Sequence, residues 1–272
     1  MIFFLSLLLC LPSPVNADIY QWLDNNGNRH FSDKSRPDAT RVDIKPGYSF
    51  FSVKTIYDGD TVVLEDSRKV RLLGINAPEV THRGQAGDAG GKEAKQWLAG
   101  KLKNTKVRLE TSAEKTDKYG RTLAHLFTEN KDHINLQLVE AGLAAVNIYP
   151  PNLLYVNALT TAESKAQQAG LGLWQRPEYT PKPVAALDGA EYPGQRWLRL
   201  IGKVTHIRNT RKFVYLEFSN QFDVRIERLS LSLFPDINDY KDRTLEVRGW
   251  VNRSKQHFSM LVRHPSAIKI NP

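Results

Sequence analysis

Pro177, Pro181, Pro183 and Pro193, with Gly189 and Gly194, crowd residues 176–195, and neither a helix interior nor a central strand runs through such a stretch. The chain must therefore organise itself on either side of this break. After it come only short β-type runs, at 200–207, 213–218, 223–226, 245–251 and 258–262. Their number and spacing predict an all-β, OB-like barrel of five strands over 196–272. Before it the pattern is mixed. Strand-like runs at 48–57, 61–65 and 69–74 lead to a helical pattern with Ala94, Trp97, Leu98 and Leu102 on one face. Strands follow at 106–110 and 121–127, then helices at 134–141 and 157–168, the last stopped by Gly170. This order predicts an α+β fold over 47–175, a five-stranded OB-type barrel carrying three helices. Trp97 and Trp174 are read as core residues.

Residues 2–11 are almost all apolar, and Val15-Asn16-Ala17 follows them like a small-residue cleavage site. This reads as a signal peptide over 1–17, cut after Ala17 and too short to span a membrane. Such an address places the protein in the periplasm or outside the cell. The single cysteine, Cys10, would leave with it, so the mature chain has no disulfide, cysteine-zinc or iron–sulfur chemistry. The seven histidines show no ligand spacing. Residues 18–45 carry aromatic-rich runs around Asn25-Asn26-Gly27, which predicts a short β-hairpin module with Trp22 as its packing anchor. That module resembles one found after the signal peptide in many bacterial envelope proteins, with no established function.

Lysine and arginine number 38 against 29 acidic residues, a net +9. Residues 195–272 hold 15 of the basic and 7 of the acidic residues, a net +8, so the excess positive charge belongs to the last domain. A polyanionic partner fits that balance, and Arg208, Arg211 and Lys212 are candidate contacts.

Three stretches of the middle region carry chemistry. Asp58-Gly59-Asp60-Thr61-Val62 joins two strands, although Asp-Gly is also an ordinary hairpin turn. In 71–79, a strand bearing Arg71 ends in a turn that brings Asn76 and Glu79 close. In 117–121, Asp117-Lys118-Tyr119-Gly120 is a tight turn delivering Arg121 to the start of a strand. Together they can hydrolyse a phosphodiester. A hard divalent cation needs oxygen ligands, which Asp60, Asn76 and nearby backbone carbonyls can supply. A carboxylate such as Glu79 can orient and deprotonate water. Two guanidinium groups, Arg71 and Arg121, can clamp the charge that gathers on phosphorus oxygens in the transition state. Tyr119 and Lys118 can add a phosphate contact.

DGDTV (58–62), RLLGINAPE (71–79) and DKYGR (117–121) stand in this order at fitting distances, followed by LVEAGLA (138–144) and AESKAQQAGLGLW (162–174). In these the middle segment, over roughly 48–175, resembles the thermonuclease (staphylococcal-nuclease-like) family. The resemblance implies an OB-type barrel with packed helices and calcium-dependent cleavage of DNA and RNA at the 5′-O–P bond, leaving 3′-phosphates. By position, Arg71, Glu79 and Arg121 match the family's catalytic trio. Asp60 matches its first metal carboxylate, Asp58 an outer-shell acid, and Ala77 a backbone carbonyl ligand. Asn76 stands where the family usually has Asp, which removes one negative charge and predicts weaker binding of the single Ca2+. The connection from Thr61 to Arg71 is also short. The expectation is an exported monomeric nuclease acting on DNA or RNA, with no obligate protein partner. The competing expectation is a noncatalytic envelope protein that holds nucleic acid or an anionic surface through its basic C-terminal domain.

Overall fold

The computed structural model describes residues 19–23, 29–42, 49–81, 86–187 and 196–270; the expected signal segment and the Asn25-Asn26-Gly27 turn lie outside them. The chain divides into two compact units, Met1–Tyr48 and Ser49–Pro272. In the first, β1 (Ile19–Leu23) pairs antiparallel with β2 (Arg29–Ser32), as the hairpin expectation has it. A third strand, β3 (Thr40–Val42), lines the other edge of β1 and makes the module a three-stranded sheet. A bare hairpin is marginal in water, and this strand covers its open edge. The Arg36–Asp38 ion pair (2.8 Å) lies in the connection, and Trp22 stacks on His30 with the Arg36 guanidinium 4.6 Å from its ring centre.

The second unit starts with β4 (Phe50–Ile56), β5 (Thr61–Leu64), β6 (Lys69–Leu72), β7 (Ile75–Asn76), β8 (Lys106–Glu110) and β9 (Thr122–Thr128). Strands β4-β5-β6-β9-β8 close into a barrel in which only β6 and β9 are parallel. Alternation drives the closure. Val62, Leu64, Val70, Leu72, Val107, Ala124 and Leu126 point inward and are buried. Helix α1 (Gly91–Leu102) adds Ala94, Leu98 and Leu102 at four-residue spacing. Helices α2 (Ile134–Glu140) and α3 (Val156–Gln168) pack on each other and complete the core. Gly170, at φ +60°, ends α3 in the left-handed conformation expected of a C-terminal stop. Between α2 and α3, β10 (Ala145–Val146) pairs with β7.

On the flank of this barrel His125 Nδ1 lies 3.1 Å from His133 Nε2, with Phe127 and Tyr155 packed around them. Burial pushes the His125 imidazole down to about 3, the charge on His133 adds to the fall, and Glu110 opposes it. Burial likewise lowers His133 to about 4. Both rings are neutral in the folded chain at pH 5, whereas the unfolded chain takes up protons near the ordinary value of about 6.5. Stability is therefore fully present above that value and is lost as pH falls from about 6.5 towards 3. For His125 the slope approaches about 1.4 kcal/mol per pH unit. Urea midpoints at pH 7 and pH 5 should differ accordingly, and His125→Gln should flatten the difference. An equally steep loss in His125→Gln would place the acid sensitivity elsewhere.

The remaining chain forms β11 (Lys182–Pro183), β12 (Arg196–Lys203), β13 (His206–Asn209), β14 (Phe213–Ser219), β15 (Phe222–Glu227), β16 (Thr244–Ser254), β17 (His257–Val262) and β18 (Ile268–Ile270). The hydrogen-bonded path runs β11-β12-β16-β17-β15-β14-β13, with β18 on β16 and with β15 and β17 parallel. Strands β12 and β13, second and last on this path, are one run of chain bent at Val204-Thr205. Counting them as a single first strand gives the order of the first barrel, 1-2-3-5-4, with the third and fifth strands parallel in both. Val204 bonds to Arg243 and Thr205 to Glu217, so the bend is where this strand changes partners. This is the OB-like arrangement expected of the C-terminal region. In place of a helix between its third and fourth strands stand short 3-10 turns that bury Phe234 and Tyr240.

The Pro-rich stretch is more than a connector. Lys182 and Pro183 pair with Leu200 and Ile201, and Val184 and Leu187 enter the second core. Edge pairing suits a proline, which lacks an N–H to donate. The two barrels also share a polar junction. Arg248 on β16 forms a buried ion pair with Glu163 on α3 and donates to the Ser266 carbonyl (2.9 Å), while Glu163 Oε1 accepts the Val146 N–H (2.7 Å). Lys269 Nζ donates to Gln167, and Arg199 pairs with Glu246 at 2.7 Å beside Trp174, whose indole sits in the 3-10 turn after α3. Trp97 packs against the first core.

Candidate active site

The 58–60 turn lies between β4 and β5 against α1. A Cβ at residue 59 would come within 2.6 Å of both the Ala77 and Ala94 Cβ atoms, so only glycine lets the turn sit this deep. The turn buries two carboxylates. Asp58 Oδ1 accepts the Asp60 N–H at 2.9 Å. Asp60, 4% exposed, accepts the Thr61 hydroxyl (3.1 Å) on Oδ1 and the Ala77 N–H (2.7 Å) on Oδ2.

Arg71 on β6 lies opposite Thr61 in the β5–β6 ladder. Its Nη2 is 2.9 Å from Asp60 Oδ2 and 3.4 Å from Asn76 Oδ1, and its Nη1 donates to the Leu72 carbonyl at 2.7 Å. Burial pushes the Asp60 carboxyl up to about 7; Arg71 opposes that rise, Asp58 adds to it and the Ala77 N–H opposes it. Oxygens of the buried Asp60 and the half-buried Asn76 thus converge on one positively charged group. This donor set fits a hard divalent cation, which also takes oxygen ligands and counters buried negative charge. The charge is sparse: among the described residues no group of three or more His, Cys, Asp or Glu is placed to hold a metal.

Arg121 stands immediately before β9. The parallel register sets Arg71 opposite Leu123, so Arg121, two residues earlier, shares the outer face of the barrel with Arg71. Strand spacing and rise put their Cα atoms roughly 8 Å apart. Asp117 fixes this arginine. Its Oδ1 accepts the N–H groups of Tyr119 and Arg121 (both 2.9 Å), and its Oδ2 pairs with Arg121 Nε at 2.7 Å. The turn is shaped by Asp117, while the Tyr119 side chain stands 71% exposed with Lys118 Nζ 5.0 Å and the Arg121 guanidinium 5.6 Å from its ring centre.

Glu79 is exposed beyond Pro78. Its main chain is braced by Asp88, whose Oδ2 accepts the Glu79 N–H (3.3 Å) and whose N–H donates to the Glu79 carbonyl (2.8 Å). The structure thus joins Asp58, Asp60, Arg71, Asn76 and Ala77 in one cluster, with Arg121 just before the adjoining strand and Glu79 at its margin. Lys118 and Tyr119 occupy the 117–121 turn. Arg208, Arg211 and Lys212 belong to the second barrel, and Arg208 is held by Glu217 at 2.5 Å. Asp117 and Thr61, which lie in two of the sequence stretches without a role of their own there, and Asp88, which lies in none, support the site; the Asp-x-x-Gly turn signal marks Asp117.

The site thus combines a closed OB barrel with an acid–arginine cluster, and a second arginine just before the parallel strand. A family model described as "Staphylococcal nuclease homologue" matches residues 69–176, and one described as a domain of unknown function (DUF4124) matches 6–47. The thermonuclease of Staphylococcus intermedius is 34% identical over 172 residues, 62% of this chain and 96% of that protein. The thermonuclease of Staphylococcus hyicus is 33% identical over 127 residues, 46% of this chain and 75% of that one. Endonuclease YncB of Bacillus subtilis is 30% identical over 127 residues, covering 45% and 60%. The chain belongs to the thermonuclease (staphylococcal nuclease) family.

Proposed function

We propose that this protein is an exported, calcium-dependent nuclease that cuts DNA or RNA at the 5′-O–P bond and leaves 3′-phosphates. The observation that carries the reading is the convergence of Asp60 and Asn76 oxygens on Arg71, with Arg121 held by Asp117 on the same face. Asp60, Asn76 and the Ala77 carbonyl would hold the calcium, with Asp58 behind them. The bound ion would supply positive charge to the scissile phosphate and to the attacking water. Arg71 and Arg121 present N–H donors to the phosphate oxygens as negative charge gathers on them. Glu79 orients the water and takes its proton. Export rests on the apolar segment and small-residue motif ending at Ala17; no helix among the described residues is long and apolar enough to cross a membrane.

The test is digestion of single-stranded DNA by the protein from Asp18 onward, with calcium, with magnesium and with chelator. The expected result is calcium-dependent cleavage leaving 3′-phosphate ends, at a higher half-saturating calcium concentration than Asn76→Asp requires. The noncatalytic reading is favoured by the missing charge at Asn76. Protein that binds the strand and never cuts it with any cation would establish that reading instead.

A further inference from the structure

The outer face of the second barrel carries a row of side chains that its core does not use. Register sets Arg208, Tyr215, Arg225 and Leu261 side by side across β13, β14, β15 and β17. All four alternate with inward residues such as Leu216, Val224 and Met260 and so face away from the core. The Arg208 guanidinium lies 3.9 Å from the Tyr215 ring centre, Phe213 packs edge-on to Tyr215 at 6.1 Å, and the Arg225 guanidinium lies 5.8 Å from Phe213. The acids of this face are Glu217, paired with Arg208, Asp223, which accepts from His257 at 2.9 Å and lies 3.8 Å from Arg208, and Glu227, opposite Phe213. Arg225 forms no ion pair among the described residues.

The row continues towards the first barrel. Two residues beyond Leu261, Arg263 places its guanidinium 4.6 Å from the ring centre of Tyr149. Tyr149 follows β10, whose Ala145 lies opposite Asn76 in the β7 pairing. Arg263 thereby joins the second barrel to Tyr149, four residues along the chain from the Ala145 that pairs with Asn76.

We propose that the Arg208–Tyr215–Arg225 row, extended by Arg263 and Tyr149, is a binding track for single-stranded nucleic acid that feeds the site of the first barrel. The feeding role rests on the nuclease reading above. A single strand is the occupant the surface fits. Alternating cations and rings meet its phosphates and its unstacked bases, while a duplex keeps its bases out of reach of a ring. The net +8 of residues 195–272 supplies the matching field.

The test measures affinity of the full mature protein for a fluorescent 15-nucleotide single-stranded DNA, in chelator so that nothing is cut, with a hairpin duplex as comparison. Tyr215→Ala should weaken single-strand binding by about 5- to 100-fold and duplex binding far less. Tyr215→Phe, which keeps the ring, should retain the affinity. Arg225→Gln should lower the slope of log affinity against log salt by about 0.7, the value of one released counterion on a single strand. Should Tyr215→Ala not fold, Tyr215→Phe and Arg225→Gln still decide. Unchanged single-strand affinity and salt slope, or equal losses on the duplex, would overturn the track. Failure of the wild type to cut DNA with calcium would overturn the nuclease reading and leave these binding results standing.

Discussion

Arg121→Ala is expected to lower the rate of DNA cleavage by about 10³-fold or more while leaving the fold intact. A phosphate-clamping arginine contributes on that order because it meets charge that develops only in the transition state. The structure separates this effect from stability. Arg121 and Asp117 are partly exposed, with side chains 26% and 17% accessible, so losing their pair costs about 1 kcal/mol or less. Asp117→Asn makes a second comparison. It keeps an oxygen for the Tyr119 and Arg121 N–H groups but loses the charge that aims the guanidinium. Its loss of rate should be smaller than that of Arg121→Ala and should appear in turnover more than in substrate affinity. Single-turnover cleavage at saturating calcium, with thermal midpoints beside it, checks both. Arg121→Ala turnover within a few-fold of wild type would remove Arg121 from the chemistry.

What could be read from the chain beforehand divides along the range of the interactions. Asp58-Gly59-Asp60, Arg71 with Asn76, and the 117–121 turn are close in sequence, so their spacing carries their geometry. Alternation likewise marked the long strands of both barrels, because one buried face imposes a period of two. A strand as short as β3, three residues after Pro37, has too few positions to show any period. The bend at Val204-Thr205 bears no glycine or proline, so β12 and β13 read as one run. Lys182 and Pro183 looked like linker because proline marks a break locally, and only the edge of the second sheet gives them a partner. The junction was hidden for a further reason. Glu163 and Arg248 are 85 positions apart, and each is ordinary in its own neighbourhood. One sign was present: Glu163 falls four residues after Leu159 and beside Ala162 and Ala166, on the buried stripe of α3.

That junction carries the second large effect. Arg248→Ala should destabilise the protein by about 3–5 kcal/mol, because it leaves the Glu163 carboxylate buried without its counter-charge. Glu163 is 2% and Arg248 5% exposed, so water cannot take over the solvation. Replacing both, as Glu163→Gln with Arg248→Met, should recover much of the loss. It leaves no charge stranded, and the Arg248 Nε and Nη1 atoms that find no partner among the described residues disappear with the arginine. Urea unfolding of the two variants distinguishes this from simple loss of packing, for which the double variant would be the less stable. The same geometry changes what truncation means. Cutting the chain before Arg196 removes Arg248 and uncovers α3, whose Glu163 also holds the Val146 N–H of β10. Strand β10 in turn pairs with β7, which carries Asn76. The first barrel alone should therefore be less stable and bind calcium more weakly, beyond any loss of affinity for nucleic acid. A truncated protein with an unchanged urea midpoint and unchanged half-saturating calcium would show that the second barrel is only a passenger on the first.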